Sequence, residues 1–171
     1  TTVYNLSFRM LGNRAEAEDV AQEVFISVFK TIDTFREESK FSTWLFTIAR
    51  NLCLNEIRRR SRHPAESLDQ TRDDADDQPL YQVEDKRVAP ATEELLRGEL
   101  VEKVDAALAG LPENQRTALL LCRQEDLSYE EIAAVLGCSL SATKSLIHRA
   151  RETLKLQLKP YLQTGVWEEK K

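Results

Sequence analysis

SYEEIAAVLGCSLSATKSLIHRARETLKLQL, residues 128–158, spells two helices and the turn between them. Ser128 stands where an N-cap belongs, and Glu131 three residues on completes a capping box. Ile132, Ala133 and Leu136 give the first helix a buried stripe, with alanine where two helix axes approach closely. Gly137 follows as the left-handed residue that ends a helix, and Ser139 caps the next one. In that second helix Leu140, Thr143, Ile147, Ala150, Leu154 and Leu158 recur at spacings of three and four, making one inward face. Ser141, Lys144, Ser145, His148, Arg149 and Glu152 lie opposite. A short polar, basic face near the start of such a helix is what major-groove reading requires. The pattern predicts a helix-turn-helix over 128–158.

A plain helical hairpin with a solvated outer face has the same outline. Charge separates the two. From Ser139 to Lys159 five cations (Lys144, Arg149, Arg151, Lys155, Lys159) stand against Glu152 alone, a net of +4 in a chain whose formal net charge is -5. Charge segregated in this way favours a nucleic-acid face.

The 171 residues hold one medium domain or two small ones, and 42% hydrophobic content is enough for packed cores. Only 5 Gly and 5 Pro leave few turns for a sheet protein. No apolar run is long enough to span a bilayer, so no membrane insertion is expected, and no signal peptide is visible. Cys53, Cys122 and Cys138 are isolated thiols in apolar or turn surroundings, the usage of a reduced, cytoplasmic protein. With only His63 and His148 beside them no metal-ligand spacing arises, and no cofactor is expected. A redox role for Cys138 is weighed against simple packing, which is the better reading. The chain opens without methionine on Thr1–Leu11, already helical in pattern, and a preceding segment is therefore expected.

In the first half Val3, Leu6, Met10 and Leu11 form a partial stripe, which Gly12 and Asn13 interrupt. Between Ala15 and Ile32 the residues Ala17, Val20, Ala21, Val24, Phe25, Val28 and Phe29 fall on one broad face, expected to be inward. Glu16, Glu18, Asp19, Gln22 and Glu23 lie opposite, on a face that is also simply well placed for the helix dipole. Asp33–Lys40 reads as a polar loop. A third helix from Ser42 to about Arg60 is expected to bury Trp44, Leu45, Ile48, Ala49, Leu52, Cys53 and Ile57. Arg58, Arg59, Arg60 and Arg62 close it. Capping the helix dipole needs fewer cations than that, which points to phosphate contact.

AEDVAQEVFISVFKTIDTF followed by FSTWLFTIARNLCLNEIRRR resembles conserved region 2 of bacterial sigma factors, nearest the small two-domain extracytoplasmic-function (ECF) type. LPENQRTALLL and the helix-turn-helix ending KSLIHRARETL resemble region 4. Both blocks in this order, across a linker, are far more specific than either alone. The resemblance implies an all-α chain of two small helical domains: region 2 over 1–62, a flexible acidic linker over 63–91, region 4 over 92–160 and a tail over 161–171. The linker's composition agrees. From Pro64 to Asp85 eight carboxylates face Arg72 alone, a net of -7, too polar to fold by itself. After it, Leu95, Leu96, Leu100, Val104, Ala107 and Leu108 mark a helix stopping at Gly110, and Pro112 suits the first turn of the next. With the helix-turn-helix these make four helices.

The same resemblance implies a role for each half. Ser141, Lys144, Ser145, His148, Arg149 and Arg151 match positions that read the −35 promoter element. Leu146 stands where many relatives carry a basic residue, so one phosphate contact is expected to be absent or replaced by packing. Asn51 matches the asparagine that holds the −10 element, with Phe35, Arg36 and Lys40 on the adjoining loop and Arg58 and Arg59 behind; Phe41 and Trp44 are expected in the core beneath. Asp19, Gln22 and Glu23 match the patch that docks on the polymerase beta-prime clamp. The implied partners are core RNA polymerase, through that clamp and the beta flap, duplex and single-stranded promoter DNA, and an anti-sigma factor. No catalytic constellation is visible, so the polymerase supplies the chemistry. A self-sufficient helix-turn-helix repressor would need a dimerisation element, and none is evident. A helical adaptor protein would leave the basic stripe without a purpose.

Overall fold

The computed structural model describes residues 2–35, 39–62, 91–124 and 126–164, with the backbone alone for 91–97 and 164. Residues 63–90 of the expected linker and the last seven residues lie outside the described residues, while Ala91, expected as the linker's end, is already helical. Every regular element among the described residues is helical: α1 (Thr2–Leu11), α2 (Arg14–Thr31) with a 3₁₀ turn (Ile32–Thr34), α3 (Phe41–Arg62), α4 (Ala91–Ala109), α5 (Glu113–Leu121), α6 (Tyr129–Leu136) and α7 (Leu140–Thr164). None of them is long and apolar enough to cross a membrane.

Local chemistry sets the boundaries. Gly12, at φ +69, ends α1, and its N–H donates to the Phe8 carbonyl at 2.7 Å. Asn13 then caps α2, its side chain accepting from the Glu16 N–H at 3.0 Å. That pair turns the chain back on itself, so α1, α2 and α3 pack as a three-helix unit. Its centre is Leu6, Met10, Val24, Phe46, Ala49 and Cys53. Phe46 and Leu54 replace Trp44 and Leu52 as the deeply buried residues of α3, whose inward face is turned slightly from the one expected.

The second unit is the expected four-helix set, α4–α7. Leu121, Ile132, Val135, Thr143, Ile147 and Ala150 fill its interior. Pro112 is the N-cap residue of α5, one position before the first turn. The last helix runs through Pro160 to Thr164, past the boundary expected at residue 160. Tyr161 ties that final turn to α4 through its hydroxyl, 3.4 Å from Glu99 Oε2.

The two units do not stand apart. α1 packs on α4 and α5, and α3 packs on α6, so the buried apolar side chains form one continuous core from Val3 and Met10 to Leu120 and Ile147.

Candidate nucleic-acid interface

The helix-turn-helix is built by the caps read from its sequence. Ser128 N–H donates to Glu131 Oε2 at 2.6 Å while Glu131 N–H donates to Ser128 Oγ at 3.2 Å, closing the capping box. Gly137 takes φ +66, and Ser139 Oγ accepts from the Ala142 N–H at 3.2 Å. Thr143, fully buried, locks the start of α7 by donating to the Ser139 carbonyl at 3.1 Å, with Cys138 Sγ beside it at 3.2 Å. With that face fixed inward, Leu140, Ser141, Lys144, Ser145, His148 and Arg149 line one open hollow of ≈ 600 Å³ on the outer side. Arg151 is not part of it, and its guanidinium instead meets Cys122 Sγ at 3.4 Å. Leu146 packs against the core.

On α3 the residues Asn51, Asn55, Arg58 and Arg62 are all exposed at spacings of four, three and four, a single amide-and-basic stripe. Asn55 has no mark of its own in the sequence, although helical spacing from Asn51 locates it, and it joins Asn51 to Arg58 and Arg62, two of the arginines expected to meet phosphate. Arg50 Nη1 lies 3.4 Å from Asn51 Oδ1. Burial first, and the Arg58 charge second, pull the Arg50 guanidinium below its ordinary pKa. Not every arginine of the closing run is available. Arg59 is held by Glu56 at 2.8 Å, and Arg60 donates to the Leu11 carbonyl at 2.9 Å and pairs with Glu16.

The loop before α3 presents aromatics. Phe35, Phe41 and Trp44 form a cluster with centroid separations of 5.8, 5.0 and 5.7 Å. Phe41 is 45% exposed, so it belongs to this surface cluster and not to the core expected for it. Lys40 sits next to the cluster, 3.0 Å from Glu131 Oε1. Arg36 lies outside the described residues.

On α2 Asp19, Gln22 and Glu23 are exposed, and the same helix continues into Ile26 at 44%, Phe25 at 56% and Phe29 at 83% exposed. The inward placement expected of Phe25 and Phe29 is therefore corrected. Ala17, Val20 and Val24, with half-buried Val28, already fill the contact with the neighbouring helices, and Phe25 and Phe29, one residue after Val24 and Val28, are each rotated about 100° away from that row.

Residues 1–63 match sigma-70 region 2, and residues 101–154 match sigma-70 region 4. The RNA polymerase sigma-H factor of Pseudomonas aeruginosa is 39% identical over 165 residues, spanning 94% of this chain and 82% of that one. The ECF RNA polymerase sigma factor SigW of Bacillus subtilis is 37% identical over 158 residues, spanning 92% of this chain and 83% of that one. The chain belongs to the ECF group of the sigma-70 family. As a sigma factor it directs RNA polymerase to specific promoters for transcription initiation and is itself non-catalytic. Among solved structures, the sigma factor RpoE of Bartonella quintana, in complex with the anti-sigma factor NepR, superposes with a TM-score of 0.68 at 26% identity, covering 92% of this chain and 89% of that one. The all-helical, region 2 plus region 4 organisation expected from the sequence is thus upheld.

Proposed function

We propose that the two halves of this sigma factor divide promoter recognition between duplex and single strand. Region 4 reads the −35 element as duplex through Ser141, Lys144, Ser145, His148 and Arg149, with Arg151 at the edge contacting phosphate. The observation that carries this is the hollow those first five residues share with Leu140 on α7. Lysine and arginine pair with guanine acceptors in the major groove, each good contact contributing about 1–3 kcal/mol of discrimination.

Region 2 captures the −10 element as it opens. Extruding a base costs a few kcal/mol, which stacking and amide contacts offset. Asn51 supplies the amide, Phe35 in the aromatic cluster supplies stacking, and Arg36, Lys40 and Arg58 supply charge along the strand, with Arg59 joining them once it exchanges Glu56 for phosphate. Phe41, half exposed beside Phe35, joins that group.

Core polymerase docks on α2. Asp19, Gln22 and Glu23 provide an acidic margin to the exposed Phe25 and Phe29, an anchor-and-rim surface of the kind that carries binding energy at protein interfaces. That surface is assigned to the beta-prime clamp, and region 4 to the beta flap. An anti-sigma factor in the cytoplasm competes for these faces, a reading supported by the NepR complex of the Bartonella relative.

Photo-crosslinking tests the division of labour. With a photoreactive side chain at 144, label should go to −35 duplex; at 51 it should go to the non-template strand of −10, and only in open complexes. Label from position 51 on closed duplex would overturn the assignment.

A further inference from the structure

Asn51 does not act with both ends of its amide free. Arg50, half buried on the same turn of α3, places Nη1 3.4 Å from Asn51 Oδ1. Arginine carries donors only, so the end of the carboxamide that it meets is the oxygen. The amino end, with its two N–H donors, is left for whatever approaches from solvent. The Arg50 guanidinium is seated in the fold by its buried Nε edge and turns Nη1 toward the amide. Asn55, one turn on and also exposed, has no such tie among the described residues, and either end of its amide can face outward.

An asparagine with both ends free pairs adenine in two places, accepting from N6 and donating to N7. With Oδ1 engaged, the accepting half of that pairing is taken. The second lone pair of the same oxygen lies beside the Arg50 cation, whose field repels the partial positive charge of an incoming amino group. No carboxylate takes its place. The stripe continues as Asn55, Arg58 and Arg62, and Glu56 is occupied by Arg59 at 2.8 Å. The surface around Asn51 therefore offers donors and positive charge. Bases divide along the same line: thymine O4 and guanine O6 accept where adenine N6 and cytosine N4 donate.

We infer that Arg50 is a positioning residue that fixes Asn51 as a hydrogen-bond donor, and that the pair selects a keto base, thymine or guanine, over an amino base at the −10 position Asn51 faces, a reading that rests on the −10 assignment made above. Once a base is unstacked its whole edge is open to the protein. An amino group set against a fixed donor leaves both unpaired, and polar sites reject the wrong partner strongly for that reason.

The test uses holoenzyme reconstituted from core polymerase and the full chain. It is offered promoters whose −10 non-template strand is randomised opposite a template gap, so every base there is unpaired from the outset. Bound complexes are selected and sequenced. The position whose preference disappears in Asn51→Ala should, in wild type, favour thymine and guanine over adenine and cytosine by about tenfold. Arg50→Gln, whose own amide can hold Asn51 by either end, and Arg50→Met, which cannot hold it, should each abolish that preference while the other −10 positions keep theirs. Arg50→Lys, still a donor only, should retain it. Glutamine and methionine are good helix formers, and if one of these variants loses helix the other decides. An amino base preferred at that position, or a keto preference unchanged in folded Arg50→Gln and Arg50→Met, would overturn the role of Arg50. So would weaker binding of every sequence alike, the mark of a purely structural arginine. If Asn51→Ala alters no position, the −10 assignment fails and the role of Arg50 fails with it.

Discussion

Glu131 serves Ser128 and Lys40 with different oxygens: Oε2 accepts from the Ser128 N–H at 2.6 Å and Oε1 meets Lys40 Nζ at 3.0 Å. The Ser128 N–H first, and Lys40 second, hold its carboxyl below the ordinary glutamate pKa. A depressed carboxyl contributes stability that is present above its unfolded value, about 4.3, and is lost as pH falls through the lower folded value. Melting curves of wild type and Glu131→Gln should therefore run parallel above about pH 5 and converge below pH 4. Parallel curves throughout the acid range would contradict the contact.

Arg149→Ala should lower promoter use by roughly 5–150-fold, the equivalent of about 1–3 kcal/mol. Buried Ile147 and Ala150 hold the helix, so folding should be unaffected. The loss should vanish on a promoter whose −35 element has been scrambled. An equal loss on both templates would mean that Arg149 does not read that element.

At 83% exposed, Phe29 contributes little to the core. Phe29→Ser should leave the melting temperature nearly unchanged, within about 0.5 kcal/mol of stability. Affinity for core polymerase should drop by about tenfold or more, as for a central aromatic anchor. A large loss of stability with unaltered polymerase binding would return Phe29 to the core.

How far the sequence alone carried can be seen in these same residues. The helix-turn-helix was legible because Ser128, Glu131, Gly137 and Ser139 act on neighbours within five positions, and local signals survive in a linear reading. Phe29 was not, because hydrophobicity records that a side chain avoids water without saying whether it faces this chain or another. Arg116 was invisible for a different reason. Its partner Met10 is 106 positions away, and nothing near Arg116 marks it as more than a surface cation. The aromatic cluster of Phe35, Phe41 and Trp44 was half read: the types were noted, but only the fold shows that they gather on one surface.

Cys53 is fully buried, 3.6 Å from Ser7 Oγ, and burial pushes its thiol up to about 11. At pH 8 a maleimide should label Cys122 and Cys138, which are partly exposed, and spare Cys53 until denaturant is added. The raised value contributes stability that is complete below about pH 8.5, the unfolded thiol pKa, and is lost as pH rises toward 11. Cys53→Ala should flatten that alkaline decline. Rapid native labelling of Cys53 would show that the α1–α3 contact opens freely.

Promoter selection by the assembled polymerase is the activity that this sigma factor must confer. Core RNA polymerase reconstituted with this chain should be offered a randomised promoter library in a run-off assay, alongside core alone and the free chain in a duplex-binding assay. The predicted result is transcription from one defined pair of −35 and −10 sequences, absent with core alone, and weak duplex binding by the free chain. Tight sequence-specific binding by the free chain, with no transcription when core is added, would contradict it.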